Sequence, residues 1–82
     1  MPLKLKRLSG AELVSIFEQF GFFFLTQKGS HIKLRRFNKE EKKETLTIPA
    51  HREIDIGTLH AIFRQASKYI PEEQLKQKFY SE

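Results

Sequence analysis

The chain has no cysteine. That excludes a disulfide framework, a thiol nucleophile and a thiolate metal site. No apolar run approaches the roughly 20 residues needed to span a bilayer. The basic opening segment, residues 1–7, carries no apolar stretch of the kind that forms a secretory signal. A cytoplasmic protein is the expectation. With 82 residues and neither a disulfide nor an obvious metal staple, one domain over residues 1–82 with one modest core is expected. Part of its stability is then expected to come from a bound partner.

Acid is scarce where base is dense. Residues 28–43 hold seven cations (Lys28, Lys33, Arg35, Arg36, Lys39, Lys42 and Lys43) against Glu40 and Glu41. That excess equals the formal net charge of the whole chain, +5. Charge this localised points to an anionic partner, and a pI near 9.7 favours nucleic acid.

The apolar residues fall into periodic segments, which indicates a folded domain. In the lead-in, Leu3, Leu5 and Leu8 are available to pack while Lys4, Lys6 and Arg7 stay wet. Ser9-Gly10-Ala11-Glu12 has the form of a capping box. Leu13, Ile16, Phe17 and Phe20 then share one helical face, and Gly21 is placed to end the helix in the left-handed conformation. Residues 22–27 read as an aromatic strand, expected to be core and not a platform for stacking bases. Lys28-Gly29 signals a turn. His31 to Arg35 alternate, with Ile32 and Leu34 on one side and His31, Lys33 and Arg35 on the other. Arg36-Phe37 breaks the alternation, as a bulge or a strand end would.

Residues 38–43 read as a wet hairpin loop. Glu44 to Ile48 make a third strand with Leu46 and Ile48 inward, stopped by Pro49. Leu59, Ile62, Phe63 and Ala66 mark a second helix, capped by Asp55, Gly57 or Thr58. Pro71-Glu72-Glu73 opens a short third helix through Leu75 and Phe79. Helix, three strands and helix make an α+β domain. Its sheet is antiparallel, with the helices on its apolar face. The other face presents His31, Lys33, Arg35, Thr45 and Thr47.

His31, His51 and His60 are the three histidines. No pair has compact metal-ligand spacing, and only Glu53 and Asp55 lie near in sequence. A zinc site takes three or four protein ligands, so no metal or other cofactor is expected. Ser30 adjoins His31, but neighbours on a strand point to opposite faces, which disfavours a Ser-His pair.

Acid–base work on RNA fits better. The 2′-hydroxyl is a nucleophile built into the substrate, so the protein must supply a proton acceptor and cations. A free imidazole, with a pKa of about 6.5, is suited to the acceptor's part, and His31 supplies one on this face. Lys33 and Arg35 on the same face are suited to the phosphate. A positioned general base contributes on the order of 10²–10⁴-fold. His51 is expected to fix the connector after the third strand through a hydrogen bond, and His60 to be exposed on the second helix. A non-catalytic RNA-binding module, or a protein-interaction domain whose basic face meets an acidic partner, shares the same charge pattern.

Several stretches together resemble the HicA toxin family of small bacterial mRNA interferases. They are Leu8-Ser9-Gly10-Ala11-Glu12, Phe20-Gly21-Phe22, Gln27-Lys28-Gly29-Ser30-His31, Ile48-Pro49-Ala50-His51, residues 57–66, and Ile70-Pro71-Glu72-Glu73-Gln74-Leu75. The resemblance implies a fold like the double-stranded RNA-binding domain, α-β-β-β-α. It implies metal-free cleavage of mRNA by a catalytic histidine, which falls on His31. It also implies a HicB-like antitoxin protein that covers the active face. The residues expected to bind RNA around His31 are Lys28, Gly29, Ser30, Lys33 and Arg35.

Overall fold

A computed structural model describes residues 4–81. The elements in chain order are β1 (Lys4–Leu5), α1 (Gly10–Gln19), β2 (Phe23–Lys28), β3 (His31–Phe37), β4 (Lys43–Pro49), α2 (Ile56–Ala66), α3 (Glu72–Phe79) and β5 (Tyr80–Ser81). The expected α-β-β-β-α order is present, and β2-β3-β4 form an antiparallel sheet. Among the described residues no helix is long and apolar enough to cross a membrane.

The capping box forms as the sequence predicts. The Glu12 amide donates to Ser9 Oγ at 3.0 Å, and the Ser9 amide donates to Glu12 Oε1 at 2.9 Å. Gly21 ends α1 with φ of +90°. Asp55 settles the open choice at α2. Its carboxylate accepts from the Thr58 amide at 3.0 Å and the Thr58 hydroxyl at 2.7 Å. Pro71 is the N-cap residue of α3.

The core lies between the sheet and the helices. Ile32, Leu34, Leu46 and Ile48 point inward to meet Leu13 and Phe17 of α1 and Leu59, Ile62 and Phe63 of α2. α3 closes this layer. The Phe79 ring lies 6.0 Å from Phe17 and 5.4 Å from Phe63, centroid to centroid. The lead-in does more than pack. Leu8 is buried, and β1 pairs antiparallel with β5, a two-stranded sheet that so short a polar stretch does not announce. Leu3 lies outside the described residues.

One expectation is overturned. The aromatic strand is not core. Phe22, just before β2, is buried, but Phe23, Phe24 and Leu25 of β2 are exposed, as is Phe37. β2 is an edge strand, and Phe24, which shares the inward face with its partner Leu34, stays exposed. A run of aromatics gives β-propensity without saying whether a second layer covers it. Of the two alternatives at Arg36-Phe37, the strand end is the one found: β3 ends at Phe37, and the register shift falls instead in β2 between Phe24 and Thr26. Arg36 keeps the inward phase of Ile32 and Leu34. A guanidinium is tolerated there because the fold supplies acceptors for it. Its Nε donates to Glu44 Oε1 at 2.8 Å, and its two terminal nitrogens donate to the carbonyls of Phe20 at 2.8 Å and Tyr69 at 2.9 Å. Its cationic carbon also lies 4.8 Å from the Phe22 ring centroid. Arg36 is therefore a structural cation and not part of the basic face.

Candidate nucleic-acid interface

The β2–β3 hairpin turns through Gly29 and Ser30, with Lys28 paired to His31. Gly29 has φ of +55° and Ser30 does not have positive φ, the pattern of a two-residue hairpin with glycine first. Gln27 Nε2 donates to the Gly29 carbonyl at 2.9 Å, bracing the turn. On the other side the Ala50 amide donates to the Ser30 carbonyl. These bonds fix where β3 begins, and therefore where His31 stands.

Cross-strand partners share a face, so the register orders the outward surface in rows. His31 sits between Lys28 and Pro49. Lys33 sits between Thr26 and Thr47, and Arg35 between Phe23 and Thr45. Phe37 follows, opposite Lys43. No outward position of these rows is acidic. His31, Lys28 and Lys33 are exposed. Arg35 is half-buried. Its guanidinium donates to Thr45 Oγ1 at 3.3 Å, while its covered Nε has no hydrogen-bond partner. Lys28, His31, Lys33, Thr26 and Thr47 surround a shallow pocket of about 310 Å³. The fold thus brings Lys28, His31, Lys33 and Arg35 onto one surface. Gly29 and Ser30 form the turn that presents it.

A second hollow runs from His31 over the end of β4 to α2. This open groove of about 840 Å³ has His31, Thr47 and Pro49 on one side and Thr58, Arg64 and Lys68 on the other. His51 and Asp55 line it as well. His31 borders both hollows. Thr58 holds the Asp55 carboxyl below its ordinary value of 3.8, first through its hydroxyl and then through its amide, and His51 adds a smaller pull in the same direction.

His51 does fix the connector through a hydrogen bond, but its backbone makes the bond and its imidazole does not. The backbone carbonyl of His51 accepts from the Gly10 amide at 2.8 Å. The imidazole is left exposed in the groove. Gly10 permits this close approach, since a Cβ there would lie 2.2 Å from the Pro49 carbonyl oxygen. Arg64 and Lys68 were not expected in the site. A signal existed: Ala61, Arg64 and Gln65 make a second i, i+3, i+4 stripe on α2, beside the apolar one, and Lys68 follows in the turn just past the helix. His60 is exposed, as expected, and lines neither hollow. Among the described residues no group of three His, Asp or Glu side chains is placed to hold a metal ion.

The family model described as HicA toxin of bacterial toxin-antitoxin systems matches residues 10–67, more than two thirds of the chain. The chain belongs to the HicA toxin family. It is by that membership the toxin of a toxin–antitoxin system, with a cognate antitoxin as partner. The HicA match begins at the first residue of α1 and ends one residue past α2. It contains the hairpin, the outward face of the sheet and the groove lining except Lys68. The tail at Ile70–Leu75, which also resembles the family's ending, lies beyond the match. No curated protein and no solved structure matches the chain.

Proposed function

We propose that this HicA-family chain is a metal-independent endoribonuclease that cuts mRNA in the cytoplasm and is neutralised by a HicB-like antitoxin protein. His31 takes the proton of the 2′-hydroxyl. The 2′-oxygen attacks the adjacent phosphorus, and the bond to the 5′-oxygen of the next nucleotide breaks. The products are a 2′,3′-cyclic phosphate and a 5′-hydroxyl. Lys28, Lys33 and Arg35 balance the charge that develops on the phosphate. His51, the second imidazole of the groove, protonates the departing 5′-oxygen. Two histidines then divide the proton transfers, one accepting and the other donating.

The position of His31 carries this reading. It is exposed at one end of an acid-free cationic face, where that face meets a groove holding another histidine. The chemistry needs a 2′-hydroxyl. The test is to offer the chain one sequence both as single-stranded RNA and as single-stranded DNA. Cleavage of the RNA alone, with cyclic phosphate ends, supports the proposal. Salt-sensitive binding of both strands with no product supports a non-catalytic RNA-binding module instead.

A further inference from the structure

Phe23 and Phe37 stand beside each other on the outward face of the sheet. Their ring centroids are 6.3 Å apart and their planes 29° from parallel. Each keeps about half its surface in water, 43% for Phe23 and 51% for Phe37. The apolar residues at the inward positions of β3 and β4 are buried, so these rings are not spillover from an overfilled core. They lie at the far end of the rows that begin at His31. Phe23 is paired with Arg35, Phe37 with Lys43, and Lys33 lies between them and His31.

At about 3.3 Å per strand residue, the Arg35–Phe23 row is roughly 13 Å from His31 and Phe37 roughly 20 Å. A single strand whose phosphate sits at His31 would cross Lys33 and Arg35 and reach the rings within a few nucleotides. Exposed aromatics interleaved with cations, on a face without acids, match what unpaired nucleic acid requires. Cations follow the backbone, and ring faces take the bases.

We propose that Phe23 and Phe37 form a stacking subsite for unpaired nucleobases of the RNA bound at His31. This rests on the reading of the chain as an RNA-cutting protein and extends it. The subsite makes the enzyme prefer single-stranded RNA. It also sets the register of the strand by bases remote from the cut, without hydrogen bonds to base edges.

The test uses two single-stranded RNAs of equal length, both 2′-O-methylated so that they are not cut. One carries its bases and the other is abasic over the segment that reaches the rings. The phosphate charge is the same, so the difference reports stacking. Binding of both is measured for the full chain and for the Phe23→Ala, Phe37→Ala double variant. The wild type is expected to prefer the RNA with bases. The double variant should bind that RNA about 5- to 150-fold more weakly, with abasic RNA binding and melting temperature unchanged. Phe23→Tyr with Phe37→Trp should restore the preference. Equal affinity of the wild type for the two RNAs overturns the proposal. So does an unchanged preference in the double variant, or loss of antitoxin binding with RNA binding intact, which would assign the rings to a protein partner. If the wild type neither binds nor cuts RNA, the nuclease reading fails as well.

Discussion

The Arg36 guanidinium donates to the Glu44 carboxylate at 2.8 Å on the inner face of the sheet, although both residues come from the most charged part of the chain. They are cross-strand partners on β3 and β4, and their side chains are only 23% and 11% exposed. The pair sits where α1 ends and α2 has just ended, and Arg36 also satisfies the Phe20 and Tyr69 carbonyls there. One cation thus ties together the sheet and both helix ends.

Arg36→Ala is expected to destabilise the fold by about 3 kcal/mol, because it leaves Glu44 without its partner in a mostly dry site. Thermal melts should show a fall of roughly 12–24 °C for a domain of this size. The double variant Arg36→Met with Glu44→Leu should recover part of that loss. If Arg36→Ala melted like the wild type, the pair would not be structural.

Gly10 and Gly29 should respond differently to alanine. At Gly10 the new Cβ meets the backbone of Pro49 and Ala50, which cannot turn aside as a side chain could. Overpacking of this kind costs about 1–3 kcal/mol, and it also shifts the segment that carries His51. At Gly29 no atom lies within 4 Å, so the cost is the strain of φ +55° alone, about 1–2 kcal/mol. Melts of the two variants with cleavage rates at a temperature where both are folded check this. Gly10→Ala should lose activity along with stability.

Asp55 gives a pH signature. Its carboxyl is held below 3.8 in the folded chain by Thr58, so folding favours the ionised form. The resulting stability is fully present above pH 3.8 and is lost as pH falls through the lower folded value. Asp55→Ala should therefore melt below the wild type at neutral pH, and the gap should narrow in acid below 3.8. A gap that stays constant on acidification would contradict the cap.

Much of this fold was legible because local and global signals agree. Ser9 and Glu12 announce α1, the Leu59, Ile62, Phe63 stripe announces α2, and the alternation from His31 to Arg35 fixes the faces of β3. The misses share a cause. Whether Phe23 and Phe24 are covered, or Arg36 finds acceptors, depends on residues distant in sequence. The Tyr69 carbonyl that receives Arg36 lies 33 positions away. The same holds for the candidate site. His31 and the cations beside it could be read from one strand. His51, Arg64 and Lys68 join it only because the end of β4 returns past the hairpin and α2 packs alongside.

The outward cations should control the salt dependence of RNA binding. For each phosphate contact removed, the slope of log affinity against log salt for a single strand should fall by about 0.7. Lys28→Ala and Lys33→Ala are each expected to show this. A folded double variant of the inward pair, Arg36→Met with Glu44→Leu, should leave the slope unchanged. Titrations across a range of salt concentrations decide the matter. Equal slopes for the wild type and the two lysine variants would remove the sheet face from RNA binding.

The most direct measurement compares RNA cleavage by the wild type and His31→Ala side by side, on one long RNA with EDTA present and matching circular dichroism. The proposed function predicts discrete products from the wild type and a loss on the order of 10²–10⁴-fold in the variant. Equal cleavage by both proteins, or none by either, would contradict it.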